Sequence, residues 1–117
     1  MKVDQEIRHV NGKDFVVINS TDTVINDTQQ FLDLIFNVSS DRIIVRKEIF
    51  NEAFFDLKTG LAGDILQKAS TYSIRLGIVG NFSGYTSKSL QAFIFESNKS
   101  KKIVFIETVE QAFAKLT

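Results

Sequence analysis

Short apolar runs and amphipathic stretches alternate along most of this chain, and the alternation limits the folds open to it. Apolar runs typical of buried strands occur within Asp41–Arg46, Arg75–Gly80 and Lys102–Ile106. After each of them, apolar residues recur every three or four positions, which is the spacing of one helix face. Strands that alternate with helices pair in parallel through right-handed crossovers. The pattern therefore predicts an α/β fold with a mostly parallel sheet.

An N-terminal hairpin precedes this alternation. Residues 2–10 alternate polar and apolar, which predicts a half-buried strand with Val3 and Ile7 directed inward. The Asn11-Gly12 pair that follows favours a type I′ turn, because both central positions of that turn need positive φ. The apolar residues of 13–18 then form the return strand. This hairpin makes the predicted sheet mixed rather than purely parallel.

Four helices complete the predicted order, ββαβαβαβα, with the helices packed on the sheet. Each helix begins beside a residue that can accept the free amide hydrogens of a first turn. We expect helices over 27–38, capped by Asn26 or Asp27; over 57–70; after a cap at Thr86 or Ser87; and over 108–116, capped by Thr108. A chain of 117 residues is the size of one domain, so we expect residues 1–117 to form a single domain.

Composition excludes several classes of function. The chain has 14 basic and 14 acidic residues, and this balance argues against a nucleic-acid-binding protein. It has no cysteine and one histidine, His9, so thiolate and multi-histidine metal sites are excluded and we expect no cofactor. The N-terminus is too charged for a signal peptide, and no apolar run approaches membrane-spanning length. A cytoplasmic protein that does not bind membranes is expected.

A first group of candidate site residues surrounds the start of the second predicted helix. Asp56, Lys58, Thr59 and Gly60 follow an apolar pair of phenylalanines, and Gly63 lies three positions on. Free amides at a helix start can cradle an anion, with Lys58 adding positive charge and Thr59 a hydroxyl that could bind or receive a phosphoryl group. Alternatively, Asp56 is only the helix cap and the two glycines only allow close packing.

A second group follows the strand that ends at Gly80. Six hydrogen-bonding residues within eight positions form a plausible ligand-binding lip. They are Asn81, Ser83, Tyr85, Thr86, Ser87 and Lys88. Alternatively, the segment is a polar turn with a single capping residue. It lacks the Gly-Lys-Ser/Thr ending of a P-loop, so ATP hydrolysis gains no support.

Both groups follow strands, and the carboxyl ends of parallel strands meet at one edge of a sheet. We therefore expect segments 56–63 and 81–88 to form one binding edge for a protein partner or a small anionic ligand. A rival hypothesis is a small enzyme with Asp56 as general acid or base, assisted by Lys58 and Thr59. Phe93 and Phe95 lie on opposite sides of a predicted helix, so one of them is expected on a possible homodimer surface.

The predicted element order resembles that of STAS domains, the modules of sulphate-transporter tails and anti-sigma-factor antagonists. The resemblance is carried by Phe55–Leu61, where those domains have an aromatic residue or Met and then Asp-Ser-Ser-Gly-Leu-Gly, and by Phe105–Ala112. It implies a regulatory binding module in which Thr59 occupies the place of the phosphorylated serine. Leu57-Lys58 stands where those domains have the preceding serine.

A second resemblance covers nearly the whole chain. Phe54–Gly63, Tyr85–Leu90 and Phe95–Lys99 are similar to bacterial proteins grouped as domain of unknown function 4180. That family implies a small bacterial domain without an established activity. The sequence as a whole thus predicts a STAS-like regulatory or binding module, with a phosphorylation switch at Thr59 as a further alternative.

Overall fold

A five-stranded sheet organises the chain, and its strands lie side by side in the order of the sequence. The computed structural model describes residues 4–22 and 24–116. The strands are β1 (Gln5–Val10), β2 (Lys13–Ile18), β3 (Arg42–Arg46), β4 (Arg75–Val79) and β5 (Ile103–Ile106). The helices are α1 (Thr28–Phe36), α2 (Leu61–Thr71), α3 (Lys88–Ser100) and α4 (Val109–Leu116). Three 3₁₀ turns, Lys47–Ile49, Glu52–Phe55 and Leu57–Thr59, lie between β3 and α2.

Strand pairing confirms the predicted mixed sheet. β1 pairs with β2 antiparallel, and the register places Ile7 opposite Val16. The pairs β2–β3, β3–β4 and β4–β5 are all parallel. Asn11, with φ 52°, and Gly12, with φ 76°, form the turn between β1 and β2, which agrees with the type I′ prediction. The α/β class and the N-terminal hairpin therefore follow the sequence pattern.

The helices are divided unequally between the two faces of the sheet. Side chains of α1, α2 and α3 pack with Val16, Ile43 and Leu76 in the larger core. Phe113 and its neighbours on α4 pack on the opposite face with Ile44 and other residues of the sheet. This division follows from strand geometry, because successive side chains of a strand point to opposite faces. No polar or charged side chain in the described part of the chain is buried.

The prediction that β1 is half-buried with Ile7 inward is wrong. The side chain of Ile7 is 44% exposed, and every β1 residue except Val10 is exposed. The physical reason is position, since β1 is an edge strand with a neighbour on one side only. Alternation in sequence shows that a segment suits a sheet, but it does not show whether a helix covers that part of the sheet. Val3, also expected inward, lies outside the described residues.

The predicted helix over 57–70 is divided in the structure. Leu57–Thr59 forms a 3₁₀ turn, and α2 begins only at Leu61. Gly60 separates the two with φ 78°, in the left-handed region that glycine enters without steric cost. A left-handed residue cannot continue a right-handed helix, so the apolar spacing across it did not mark one continuous element.

Gly77 of β4 allows α4 to approach the sheet closely. A Cβ atom added at Gly77 would lie 3.1 Å from the Cβ of Ala112 and 3.4 Å from Cδ1 of Leu116. We expect Gly77→Ala to destabilise the protein by about 1–3 kcal/mol through overpacking. Gly63→Ala is the matched control, because nothing lies within 4 Å of its added Cβ and it sits in α2.

We expect Gly63→Ala to stabilise the protein by about 0.5–1 kcal/mol, since glycine is less favourable than alanine within a helix. Urea unfolding of both variants measures the two free energies. Equal effects of the two substitutions would contradict the close contact between α4 and β4.

Candidate functional site

The connections that leave β4 and β5 diverge to opposite faces of the sheet. The chain runs from β4 to α3 on the face of the larger core, whereas it runs from β5 to α4 on the other face. In open α/β sheets, such a switch leaves a crevice outside the carboxyl ends of the strands, where ligands bind. A cavity of about 470 Å³ lies there, within the usual range of ligand pockets. Its lining residues are Arg46, Glu48, Val79, Gly80, Asn81, Ser83, Glu107 and Thr108.

Arg46 supplies positive charge to this carboxyl-edge crevice. It ends β3, and it follows Val45, whose side chain belongs to the larger core, so Arg46 projects toward the α4 face. The residue is partly buried, and its guanidinium has no partner among the residues that the structure describes. Two acids, Glu48 and Glu107, line the same cavity. The crevice thus contains one guanidinium that can bind a carboxylate or a phosphate. It also contains carboxylates that can accept hydrogen bonds from a ligand.

The polar groups of the crevice are held by local hydrogen bonds. Oδ1 of Asn81 accepts from the backbone N–H of Ser83 at 2.9 Å and from its hydroxyl at 2.7 Å. Oγ1 of Thr108 accepts from the Gln111 N–H at 3.1 Å, and Oε1 of Gln111 accepts from the Thr108 N–H at 3.1 Å. This reciprocal pair is a capping box at the start of α4, which confirms the predicted cap. These hydrogen bonds hold the polar side chains of both loops in defined positions.

Tyr85 joins a second polar cluster beside the crevice. Its hydroxyl donates to Oε1 of Glu52 at 3.1 Å and accepts from Nζ of Lys47 at 3.4 Å. The aliphatic stem of Lys47 lies over Gly80, where an added Cβ would come within 2.5 Å of Cδ. Burial raises the pKa of Tyr85 above its ordinary value, and the neighbouring lysine opposes that shift. The hydroxyl is accordingly a neutral link between Glu52 and Lys47.

The predicted site residues near residue 56 are engaged with their own loop. Asp56 is exposed, and its carboxylate accepts from the Lys58 N–H at 3.2 Å. The Thr59 hydroxyl lies 2.6 Å from the carbonyl of Ala53 and 2.9 Å from that of Asp56, either of which can accept its hydrogen. Gly60 provides the left-handed turn before α2. Asp56 therefore caps a 3₁₀ turn, and Thr59 ties that turn to the preceding one.

The ring of Phe55, which directly precedes the predicted segment 56–63, contacts aromatic residues of the segment 81–88. The ring of Phe55 stacks on Tyr85 at 4.9 Å and lies 6.2 Å from Phe82. Asn81 and Ser83 line the carboxyl-edge crevice, whereas no residue from Asp56 to Gly63 does. The remaining predicted residues have other positions: Ser87 caps α3 through the Leu90 N–H at 3.2 Å, and Thr86 and Lys88 are exposed beside it.

A larger cavity, of about 670 Å³, lies at the opposite, amino edge of the parallel strands. Three of the charged side chains there have partners, because Asp14 contacts His9 and Asp41 pairs with Arg42 at 3.4 Å, and Lys13 also lines this cavity. An exposed aromatic pair, Phe36 and Tyr72, with ring centroids 5.1 Å apart, lies at this cavity. We place the candidate site at the carboxyl edge, where the smaller cavity coincides with the switch in topology and contains the Arg46 guanidinium, which has no partner among the described residues.

Sequence reasoning missed Arg46, Glu48 and Glu107 as site residues. Each follows or ends an apolar run, which was the signal that could have found them. The prediction compared the segments after β3 and β4 and did not include the end of β5. Which strand ends form a crevice depends on the face that each following helix covers, and the placement of α4 decided this.

Residues 4–22 and 24–116 contain neither a helix suited to crossing a membrane nor a cluster suited to holding a metal ion. None of the helices there combines the length and apolarity that a membrane crossing requires. No group of three or more His, Cys, Asp or Glu side chains there is arranged to hold a metal ion.

Phe95 is 62% exposed, while Phe93 packs edge-on to Phe105, so these two rings lie on opposite sides of α3 as expected.

The family described as Domain of unknown function (DUF4180) matches residues 10–116. No curated protein and no solved structure matches the chain significantly.

The hydroxyl of Thr59 has a structural role that can be measured. Thr59→Val removes the donor to the Ala53 carbonyl, and we expect a loss of about 1 kcal/mol in the free energy of unfolding. Thr59→Ser keeps the hydroxyl and should stay within about 0.5 kcal/mol of the wild type. Urea unfolding measures both values, and a Val variant as stable as the wild type would contradict this role.

The raised pKa of Tyr85 predicts alkaline destabilisation. Above about pH 10, the unfolded tyrosine ionises while the folded one keeps its proton, so the folded state binds more protons and stability falls as pH rises. Tyr85→Phe removes this contribution. We therefore expect the stability advantage of the wild type over Tyr85→Phe to be constant up to about pH 9 and to shrink as the pH rises above about 10, as measured by urea unfolding. A constant difference would refute the assignment.

Proposed function

We propose that this chain, which belongs to the DUF4180 family, is a cytoplasmic STAS-like binding module for a small ligand with one anionic group. The ligand would occupy the carboxyl-edge crevice between the ends of β3, β4 and β5. A protein partner that carries the same group on an exposed side chain would use the same contacts. Binding, rather than chemistry on the ligand, is the proposed activity.

The coincidence of the cavity with the switch in topology carries this proposal. The crevice arises because α3 and α4 lie on opposite faces of the sheet, so its position is a consequence of the fold. Its polar side chains come from three strand ends, at Arg46, Asn81 and Thr108. Three separate attachment points that converge on one cavity are typical of sites that orient a small molecule.

The charges in the crevice define the ligand class. Arg46 is the only cation among the described residues that line the crevice, and it can bind a carboxylate or a phosphate oxygen pair in a bidentate manner. Glu107 and Glu48 line the same space and disfavour a second anionic group there. They favour an amine or hydroxyl donor on the ligand instead. The class is therefore a small amino or hydroxy compound with a single carboxylate or phosphate.

The local hydrogen bonds favour binding over catalysis. The Ser83 hydroxyl donates to the amide oxygen of Asn81, which is not a base that could activate it as a nucleophile. Asp56 is exposed and serves as a cap, so an enzyme with Asp56 as general acid or base gains no support from the geometry. The Thr59 hydroxyl is a donor within its own loop, and phosphorylation would remove that hydrogen bond.

The STAS-like part of the proposal is supported by element order. The antiparallel hairpin, the sequential strand order and the three helices on one face agree with the order that suggested the resemblance. In this proposal, ligand occupancy regulates a partner through the α3 side of the molecule, because the loop that leads from β4 to α3 also lines the crevice.

Substitution of Arg46 tests the proposal. A thermal-shift screen of small carboxylates and phosphomonoesters with amine or hydroxyl groups should find a stabilising compound, which adds about 2.7 kcal/mol at a hundred times its dissociation constant. Arg46→Ala should weaken that compound by about tenfold or more, because a charged hydrogen-bonding partner is lost. Arg46→Lys should have an intermediate effect, since lysine keeps the positive charge but lacks the two parallel N–H donors of the guanidinium.

Lys58→Ala is the matched control. It removes one exposed cation from the other predicted segment, which does not line the crevice. We expect it to leave affinity unchanged. Loss of affinity in Lys58→Ala with retention in Arg46→Ala would move the site to segment 56–63, and the absence of any stabilising compound would remove the small-ligand proposal.

A further inference from the structure

We propose that β1 is a homodimer interface, in which two copies of the chain pair their β1 strands antiparallel across a two-fold axis at Ile7. The two sheets would join into one continuous sheet of ten strands. This inference concerns the edge of the sheet remote from the carboxyl-edge crevice and does not depend on the proposed ligand. It rests on the difference between the two edges of the sheet and on the residues of β1.

The β5 edge is closed by side chains of α3. Oδ1 of Asn98 accepts from the Phe105 N–H at 2.7 Å, and Nδ2 of the same side chain donates to the Phe105 carbonyl at 3.1 Å. The hydroxyl of Ser97 donates to the Ile103 carbonyl at 2.6 Å. Asn98 thus provides the two hydrogen bonds that another strand would make. A further strand cannot pair at this edge without displacing them.

The β1 edge carries no such cover. The Asn19 N–H donates to the Asp4 carbonyl at 3.1 Å, so Asp4 and Asn19 are a hydrogen-bonded pair of the hairpin. In an antiparallel ladder such pairs alternate, so the backbone groups of Gln5, Ile7 and His9 point away from β2. No described residue forms a hydrogen bond with these outward groups. They form a row of free donors and acceptors.

The sequence of β1 is complementary to itself in one register. When Ile7 of one copy lies opposite Ile7 of the other, Glu6 lies opposite Arg8 of the second copy, and this pair occurs twice. A shift of one residue would place a residue whose backbone groups point outward opposite one whose backbone groups bind β2, so the two strands could not form a hydrogen-bonded ladder. A shift of two residues would place Glu6 opposite itself or Arg8 opposite itself, and like charges directly opposite are unfavourable.

The positions of these side chains agree with that pairing. Ile7 lies on the face of Val16 and is 44% exposed, so two copies would cover an apolar surface that the monomer leaves in water. Glu6 and Arg8 project from the opposite face, where the guanidinium carbon of Arg8 lies 5.2 Å from the ring centroid of Phe113. Glu6 has only a 3.5 Å contact with the amide of Asn19. Both charged groups are therefore accessible to a second copy.

Charge reversal at two positions tests the interface in the full chain. Sedimentation equilibrium and light scattering, up to about 1 mM chain, cover dissociation constants into the millimolar range. We expect the wild type to dimerise, and we expect Glu6→Arg or Arg8→Glu alone to weaken dimerisation about tenfold or more, because each creates two like-charge pairs. An equimolar mixture of these two variants should form a heterodimer, and so should the doubly reversed chain with itself.

A matched pair of variants controls for general charge attraction. Glu96→Arg and Lys102→Glu change the charge by the same amounts at exposed positions away from β1. We expect both control variants to dimerise like the wild type, alone and mixed. A wild type that is monomeric at every concentration would overturn the proposal. So would a dimer that is insensitive to the β1 reversals, which would point to another surface such as the exposed Phe95.

Discussion

The close approach of α4 to the sheet at Gly77 is the contact on which the rest of the molecule depends. Without a side chain at that position, Ala112 and Leu116 reach the centre of β4 and cover the face that α1, α2 and α3 leave open. A helix on that face completes a second core around Phe113. It also forces the chain after β5 to turn away from the chain after β4, and the carboxyl-edge crevice exists because of that turn.

The polar residues at the carboxyl edge have two kinds of role. Asp56, Thr59 and Ser87 use their hydrogen-bonding capacity to fix turns and helix starts. The side chains of Arg46 and Glu107, which line the crevice, form no hydrogen bond or ion pair with another described residue. Groups that do not stabilise the fold and still lie in a cavity are the ones that can recognise a ligand. The candidate site therefore consists of residues that line the crevice, and the neighbouring polar residues that fix turns and helix starts are not part of it.

The two edges of the sheet show how one protein can treat equivalent backbone groups differently. At β5, the side chains of Asn98 and Ser97 replace a neighbouring strand. At β1, alternating charges and one exposed isoleucine leave the backbone accessible. Exposed strand edges usually carry features that prevent pairing, and alternating charge prevents most registers. In β1 the same charges favour one register between two copies.

The sequence by itself determined the α/β class, the hairpin turn at Asn11-Gly12 and the cap at Thr108, because each depends on local spacing and local hydrogen bonding. For α1 and α3 it offered two capping residues each, of which Asp27 and Ser87 are used. It did not determine the exposure of Ile7 or the break at Gly60, since one depends on neighbours distant in sequence and the other on a backbone angle. It also placed Asn81 and Ser83 correctly after a strand, but it did not identify the residues that line the same cavity. Only the tertiary structure decided that Arg46 and Glu107 share a cavity with them, because the face chosen by α4 cannot be read from periodicity.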